Sequence, residues 1–96
     1  MKFKWDKNKA AENLRKHDVS FTEATTVFDD PYFLVFADDE HSFDEQRYLI
    51  VGQSAEGRIL MVSYTERGAI TRIISAREAG RRAKRHYETE KFSRGY

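Results

Sequence analysis

Between Arg47 and Ile74 lie three runs rich in β-branched and aromatic residues, Arg47–Gln53, Arg58–Glu66 and Ile70–Ile74. Only Ser54–Gly57 and Arg67–Ala69 separate them, and each connector holds a glycine. Connectors this short cannot carry the crossover that parallel neighbours need, so the runs are expected to pair as an antiparallel meander. The first run places Tyr48 and Ile50 on one face and Leu49 and Val51 on the other, which predicts an interior strand covered on both sides.

The flanking segments read as helices with a further strand. Phe3–Trp5 forms a short strand, and Asp6 offers an N-cap for a helix through Lys16, with Ala10, Leu14 and His17 on one face and Asn13 beside them. Ser20 with Glu23 is a capping box for a second helix, stapled by Val19 and Ala24 and ended by Asp29-Asp30-Pro31. Tyr32–Ala37 reads as a strand and Asp38–Glu45 as an exposed loop. Ser75 with Glu78 is a second capping-box signal, predicting that the last helix starts there, carries Ala76, Ala79, Gly80, Ala83 and Tyr87 along one stripe, and frays beyond about Glu90. The class is therefore α+β, one domain over residues 1–96, with a short N-terminal strand and two helices packed on the meander and a C-terminal helix.

Composition narrows the chemistry. Without cysteine there is no disulfide, zinc-thiolate site or thiol nucleophile. No apolar run reaches membrane length and the N-terminus has no secretory pattern, so a cytoplasmic protein with no membrane partner is expected. The net charge of +1 conceals segregation. Residues 29–45 hold seven acids and no Lys or Arg, whereas residues 67–94 hold nine Lys or Arg against three Glu. The basic end suits a polyanion, and reads equally as a solvated basic helix.

The last hairpin and the helix after it concentrate the candidate site. Side chains alternate faces along a strand, so the parity of the loop around Gly68 decides who shares a patch. An odd loop groups Tyr64 and Glu66 with Arg72; an even one groups Ser63 and Thr65 with it. Arg77, expected in the first turn of the last helix, opposes the helix dipole and would place a guanidinium where an anion binds. Glu66 with Arg72 or Arg67 reads alternatively as an exposed ion pair. His17 reads as a hydrogen-bonded structural histidine and His86 as solvent-facing. His41, whose acidic neighbours would hold its imidazole protonated, reads as a general acid or as a solvated loop residue. Asp38, Asp39, Glu40, His41 and Asp44 offer a weak cation-site reading, that of a metal-dependent nuclease using the acidic loop, although their spacing matches no calcium loop.

Trp5-Asp6, Lys9-Ala10, Asn13, Lys16-His17, Val19, Phe21-Thr22-Glu23-Ala24, Glu45-Gln46-Arg47, Gly52, Tyr64-Thr65-Glu66-Arg67 and Arg72-Ile73-Ile74-Ser75-Ala76-Arg77 together resemble the BrnT toxin family. Asp18 stands where that family usually has glycine, and Ala83 where many members have glutamate. The resemblance implies a RelE-like fold and a ribonuclease toxin of a type II toxin-antitoxin system, acting on RNA without cofactor or metal and inhibiting translation and growth. It also implies a BrnA-type ribbon-helix-helix antitoxin that neutralises the toxin and carries the complex to operator DNA. On this footing Glu66 is the expected base, and Arg67, Arg72 and Arg77 the expected phosphate ligands. Lys9 and His41 support them, and Tyr64, Arg81, Arg82 and Arg85 are expected to bind substrate. The alternative is a non-catalytic module whose basic surface docks RNA or an acidic protein.

Overall fold

The computed structural model describes residues 1–95. The elements follow in the order β1 (Lys2–Lys4), α1 (Lys7–His17), α2 (Phe21–Thr26), β2 (Leu34–Ala37), β3 (Arg47–Gln53), β4 (Ile59–Arg67), β5 (Ile70–Glu78) and α3 (Arg81–Arg94). The five strands form one sheet in the order β1-β5-β4-β3-β2. Strands β2 to β5 are antiparallel neighbours, and β1 adds to the free edge of β5 in parallel. This is the α+β class and element order expected from the sequence.

Register assigns the two faces. Tyr48, Ile50, Val62, Tyr64, Ile73 and Ala76 share one, and Val19, Phe21, Ala24 and Val27 pack on it to form the main core. Strand β3 is interior, with Ile50 and Val51 both buried on opposite faces. At Gly52 a Cβ would lie 3.0 Å from Val27 Cγ1 and 3.1 Å from Asp30 Oδ2, so the strand approaches the helical layer too closely there for any side chain.

Both N-terminal helices begin as expected. The Asp6 carboxylate accepts from the amides of Asn8 and Lys9, and Ser20 Oγ accepts from the Glu23 amide at 3.0 Å. Asp18 closes α1 in the left-handed region at φ 56°, a conformation that glycine enters most easily and aspartate tolerates. The buried contact of α1 differs from the periodicity, because Leu14 is 49% exposed and His17 is exposed as well. Asn13 is the buried residue instead.

The Asn13 side chain donates to the carbonyls of Val19 (2.9 Å) and Ala76 (2.8 Å) and accepts from the Ala76 amide (3.0 Å). It therefore pairs with Ala76 as a neighbouring strand would, just past the end of β1. This is one reason why Ser75 and Glu78 do not start a helix. Strand β5 continues through both and pairs with β4 as far as Glu78 opposite Leu60. Ala76, Ala79 and Gly80 are thus outside α3, which begins at Arg81 without a side-chain cap and continues past Glu90 to Arg94. The local capping signal is overridden by strand pairing and by Asn13.

Helix α3 lies on the second sheet face, near the β3–β4 turn. Asp30 anchors it: Oδ1 accepts from the Tyr32 amide at 2.9 Å, and Oδ2 accepts from the Gln53 amide at 2.7 Å and from the buried Tyr87 hydroxyl. At the same β3–β4 turn, Glu23 receives Ser54 Oγ at 2.7 Å and the Arg58 guanidinium. Burial pushes the Asp30 carboxyl upward, but the Gln53, Tyr87 and Tyr32 donors outweigh it and hold it below its ordinary value. Arg58 draws Glu23 down, against burial.

Two outcomes test this framework. Asn13→Ala strands two carbonyls and one amide and is expected to cost about 3 kcal/mol in urea unfolding, whereas Leu14→Ala stays within about 0.5 kcal/mol. Because Asp30 and Glu23 are depressed in the folded state, their stabilisation is full above the ordinary carboxylate range. It is lost as pH falls through and below about 4. Asp30→Asn is expected to be less stable near neutrality and to lose less on acidification, as read from urea midpoints across pH.

Candidate functional site

A two-residue turn, Gly68-Ala69, joins β4 to β5, with Gly68 at φ 61°. The loop is even, so Thr65 sits opposite Arg72 while Glu66 sits opposite Thr71. Glu66 and Arg72 therefore project from opposite faces of the sheet, and the single patch of carboxylate, phenol and guanidinium is not formed. Tyr64 packs in the core at 5% exposure, its ring centroid 5.5 Å from that of Tyr48 and 5.0 Å from that of Phe28. Burial, then the charge of Glu66, raises its hydroxyl pKa.

A bulge decides the second half of the hairpin. Tyr64 pairs with Ile73 and Ser63 with Ser75, leaving Ile74 as the extra residue. This shift turns Ala76 into the core and Arg77 onto the second face, opposite Met61. Arg77 is thus a strand residue, and the argument from the helix dipole does not apply to it.

The second face carries a row of cations in register. Lys4 pairs with Arg72, Arg72 with Thr65, and Thr65 with Arg47, so four adjacent strands present Lys4, Arg72, Thr65 and Arg47 side by side. Like charges on directly paired strands are unfavourable unless something neutralises them. Among the described residues no carboxylate lies within ion-pair distance of Arg47, Arg72 or Arg77. Arg67 does have a partner: its Nε and Nη2 donate to Glu45 at 3.0 and 2.7 Å. That contact pulls the Glu45 carboxyl below its ordinary value, with weaker pulls from Arg47 and Arg72.

Next to this row lies a groove of about 360 Å³, walled by Arg47, Leu49, Ser63, Ser75 and Arg77 from the strands and by Asp38, Glu40 and His41 from the loop after β2. His41 stands on a single 3₁₀ turn, and its Nδ1 lies 3.0 Å from both oxygens of Asp38. Asp38 is held in turn, because Ser42 Oγ donates to its carbonyl at 2.7 Å and its amide donates to the Arg47 carbonyl at 2.8 Å. A carboxylate that accepts from Nδ1–H leaves Nε2 as the second ring nitrogen for proton transfer. The remaining loop acids do not converge, and among the described residues no group of three or more His, Asp or Glu is placed to hold a metal ion.

The other anticipated residues are dispersed. Lys9 is exposed in the first turn of α1, its amide capped by Asp6. Arg81 and Arg82 start α3 beside Arg77, and Arg85 is exposed one turn further along. Arg47, Asp38 and Phe36 join the site although their local sequence does not single them out. Alternation did put Arg47 on a face with Leu49, but only the strand register shows that Arg72 and Lys4 continue that row.

Residues 5–83 match the family described as "Ribonuclease toxin, BrnT, of type II toxin-antitoxin system". The chain belongs to the BrnT family of ribonuclease toxins. The 1.1 Å crystal structure of the Brucella abortus ribonuclease toxin BrnT has the same fold, with a TM-score of 0.65 and 24% identity over 84% of this chain and 99% of that one. No curated protein matches the sequence. As a BrnT-family toxin of a type II system, it has RNA as its substrate class and an antitoxin as its partner. Among the described residues no helix is long and apolar enough to cross a membrane.

Glu45 is the acid paired with Arg67 beside the cationic row. Glu45→Gln is expected to leave the urea midpoint nearly unchanged, since the pair is exposed. It is also expected to delay elution from a heparin column to higher salt, because it removes a negative charge beside Arg47, Arg67 and Arg72.

Proposed function

We propose that this BrnT-family toxin is a metal-independent endoribonuclease whose site is the groove on the second sheet face. The observation that carries the reading is that Arg47 and Arg77, which have no ion-pair partner among the described residues, line the same groove as the Asp38-oriented His41. Cleavage proceeds by attack of the 2′-OH on the adjacent phosphorus, with the P–O5′ bond breaking to give a 2′,3′-cyclic phosphate and a 5′-OH.

In-line displacement puts the entering and leaving oxygens on opposite sides of phosphorus, so two groups must handle protons. His41 donates to the leaving 5′-oxygen, and Glu40, in the same groove, takes the 2′-OH proton. Arg77 and Arg47 neutralise the extra charge of the phosphorane through forked donors. Arg72 and Lys4 extend the path for the RNA backbone, with Arg67 beside them. Glu66 is given no part, because it lies on the other side of the sheet, and Tyr64 serves the core. Arg81, Arg82 and Arg85 supply attraction to the polyanion at the start of α3, and Lys9 stands apart.

The toxin acts in the cytoplasm, stopping translation and growth by destroying RNA. A BrnA-type antitoxin with a ribbon-helix-helix domain neutralises it and brings the complex to operator DNA.

The test is cleavage of RNA in EDTA with analysis of the product ends. Wild type is expected to give cyclic phosphate termini. His41→Ala is expected to lower kcat by about a hundredfold or more. Arg72→Ala is expected to weaken RNA binding and reduce its salt dependence by about one unit of log–log slope. Glu66→Gln is expected to stay near wild type. RNA binding without cleavage would instead support a non-catalytic module, and cleavage abolished by EDTA would defeat metal independence.

A further inference from the structure

A second cavity, of about 570 Å³, adjoins the groove and is lined by Phe36, Met61, Ala83 and His86 with Arg77, Arg81 and Arg82. Met61 and Arg77 line both cavities, so the two are neighbours across those side chains. Phe36 reaches this face from the edge strand, paired with Leu49, and is 43% exposed. The His86 ring of α3 stands with its centroid 6.0 Å from that of Phe36, inclined at 51°.

We propose that this cavity receives one unstacked nucleobase of a single-stranded RNA, the nucleoside beside the phosphate held at Arg77. The proposal rests on the RNA-cleaving reading of the adjacent groove and adds a subsite to it. A half-exposed aromatic ring on a soluble surface is a stacking platform for any base, which offers a flat π face. Met61 and Ala83 supply apolar walls, and the guanidiniums of Arg77, Arg81 and Arg82 bring the positive charge that a nucleotide needs and an aliphatic side chain does not. Among the described residues no carboxylate lines the cavity. A base inside a duplex is already stacked on its neighbours, so the occupant must come from a single strand or loop.

The experiment uses a 2′-O-methyl RNA hexamer, which lacks the attacking hydroxyl and reports binding alone, with an abasic residue moved through each position. For wild type, one abasic position is expected to cost about tenfold in affinity while the others cost little. Phe36→Ala is expected to lose about tenfold on the intact hexamer and nothing further at that position. Phe36→Tyr is expected to retain affinity, which separates stacking from damage to the edge strand. A flat abasic scan, with Phe36→Ala binding as wild type while Arg77→Ala weakens binding, would overturn the subsite and leave the RNA reading standing. Failure of wild type to bind the hexamer would take both down. If Phe36→Ala weakened antitoxin binding and left RNA binding intact, the cavity would be a protein-docking site and the proposal would fall.

Discussion

The pairing of Asn13 with the main chain of Ala76 is the interaction on which the site depends. Helix α1 ends in a left-handed residue and turns back, and the same amide also holds the Val19 carbonyl of that turn. One buried side chain thereby ties α1, the turn into α2 and the outer edge of β5. Without a partner at Ala76, two main-chain groups of β5 would be buried and unpaired beyond the end of β1. With it, β5 stays extended to Glu78 and carries Arg77 onto the second face.

The rest of the site follows from alternation and a single interruption of it. The two-residue turn puts Arg72 opposite Thr65, the bulge at Ile74 restores the core contact of Ala76, and Arg77 then falls beside Met61. With about 3.4 Å per residue along β4, the Arg72 row and the Arg77 row lie about 14 Å apart, with the Ser63–Ser75 pair between them. A face that lines up Lys4, Arg72 and Arg47 forgoes stability for charge. Glu45 relieves part of that cost at one edge by pairing Arg67, and among the described residues Arg47 and Arg72 have no ion-pair partner.

Much of the fold was legible. The three runs around two short glycine connectors specified the meander, and Asp6 and Ser20 marked the starts of α1 and α2 because a cap is a local interaction written in neighbouring residues. What failed depended on contacts distant in sequence. The Ser75–Glu78 signal was genuine as a local preference but lost to strand pairing and to Asn13, whose bonds to Ala76 span 63 positions. Leu14 and His17 kept helical spacing with Ala10, yet the face that meets the sheet is centred on Asn13. Loop parity was undecided in sequence because Gly68 suits turns of either length. Glu66 consequently left the expected cluster, and Arg47 and Asp38 joined it through strand register and the loop after β2.

The claim that the second sheet face is the RNA site is tested most directly by a crystal structure with a 2′-O-methyl RNA spanning a cleavage position. A phosphate is expected within hydrogen-bond distance of Arg47 and Arg77, beside His41, with the backbone running toward Arg72. RNA bound on the opposite face, beside Glu66 and the N-terminal helices, would contradict it.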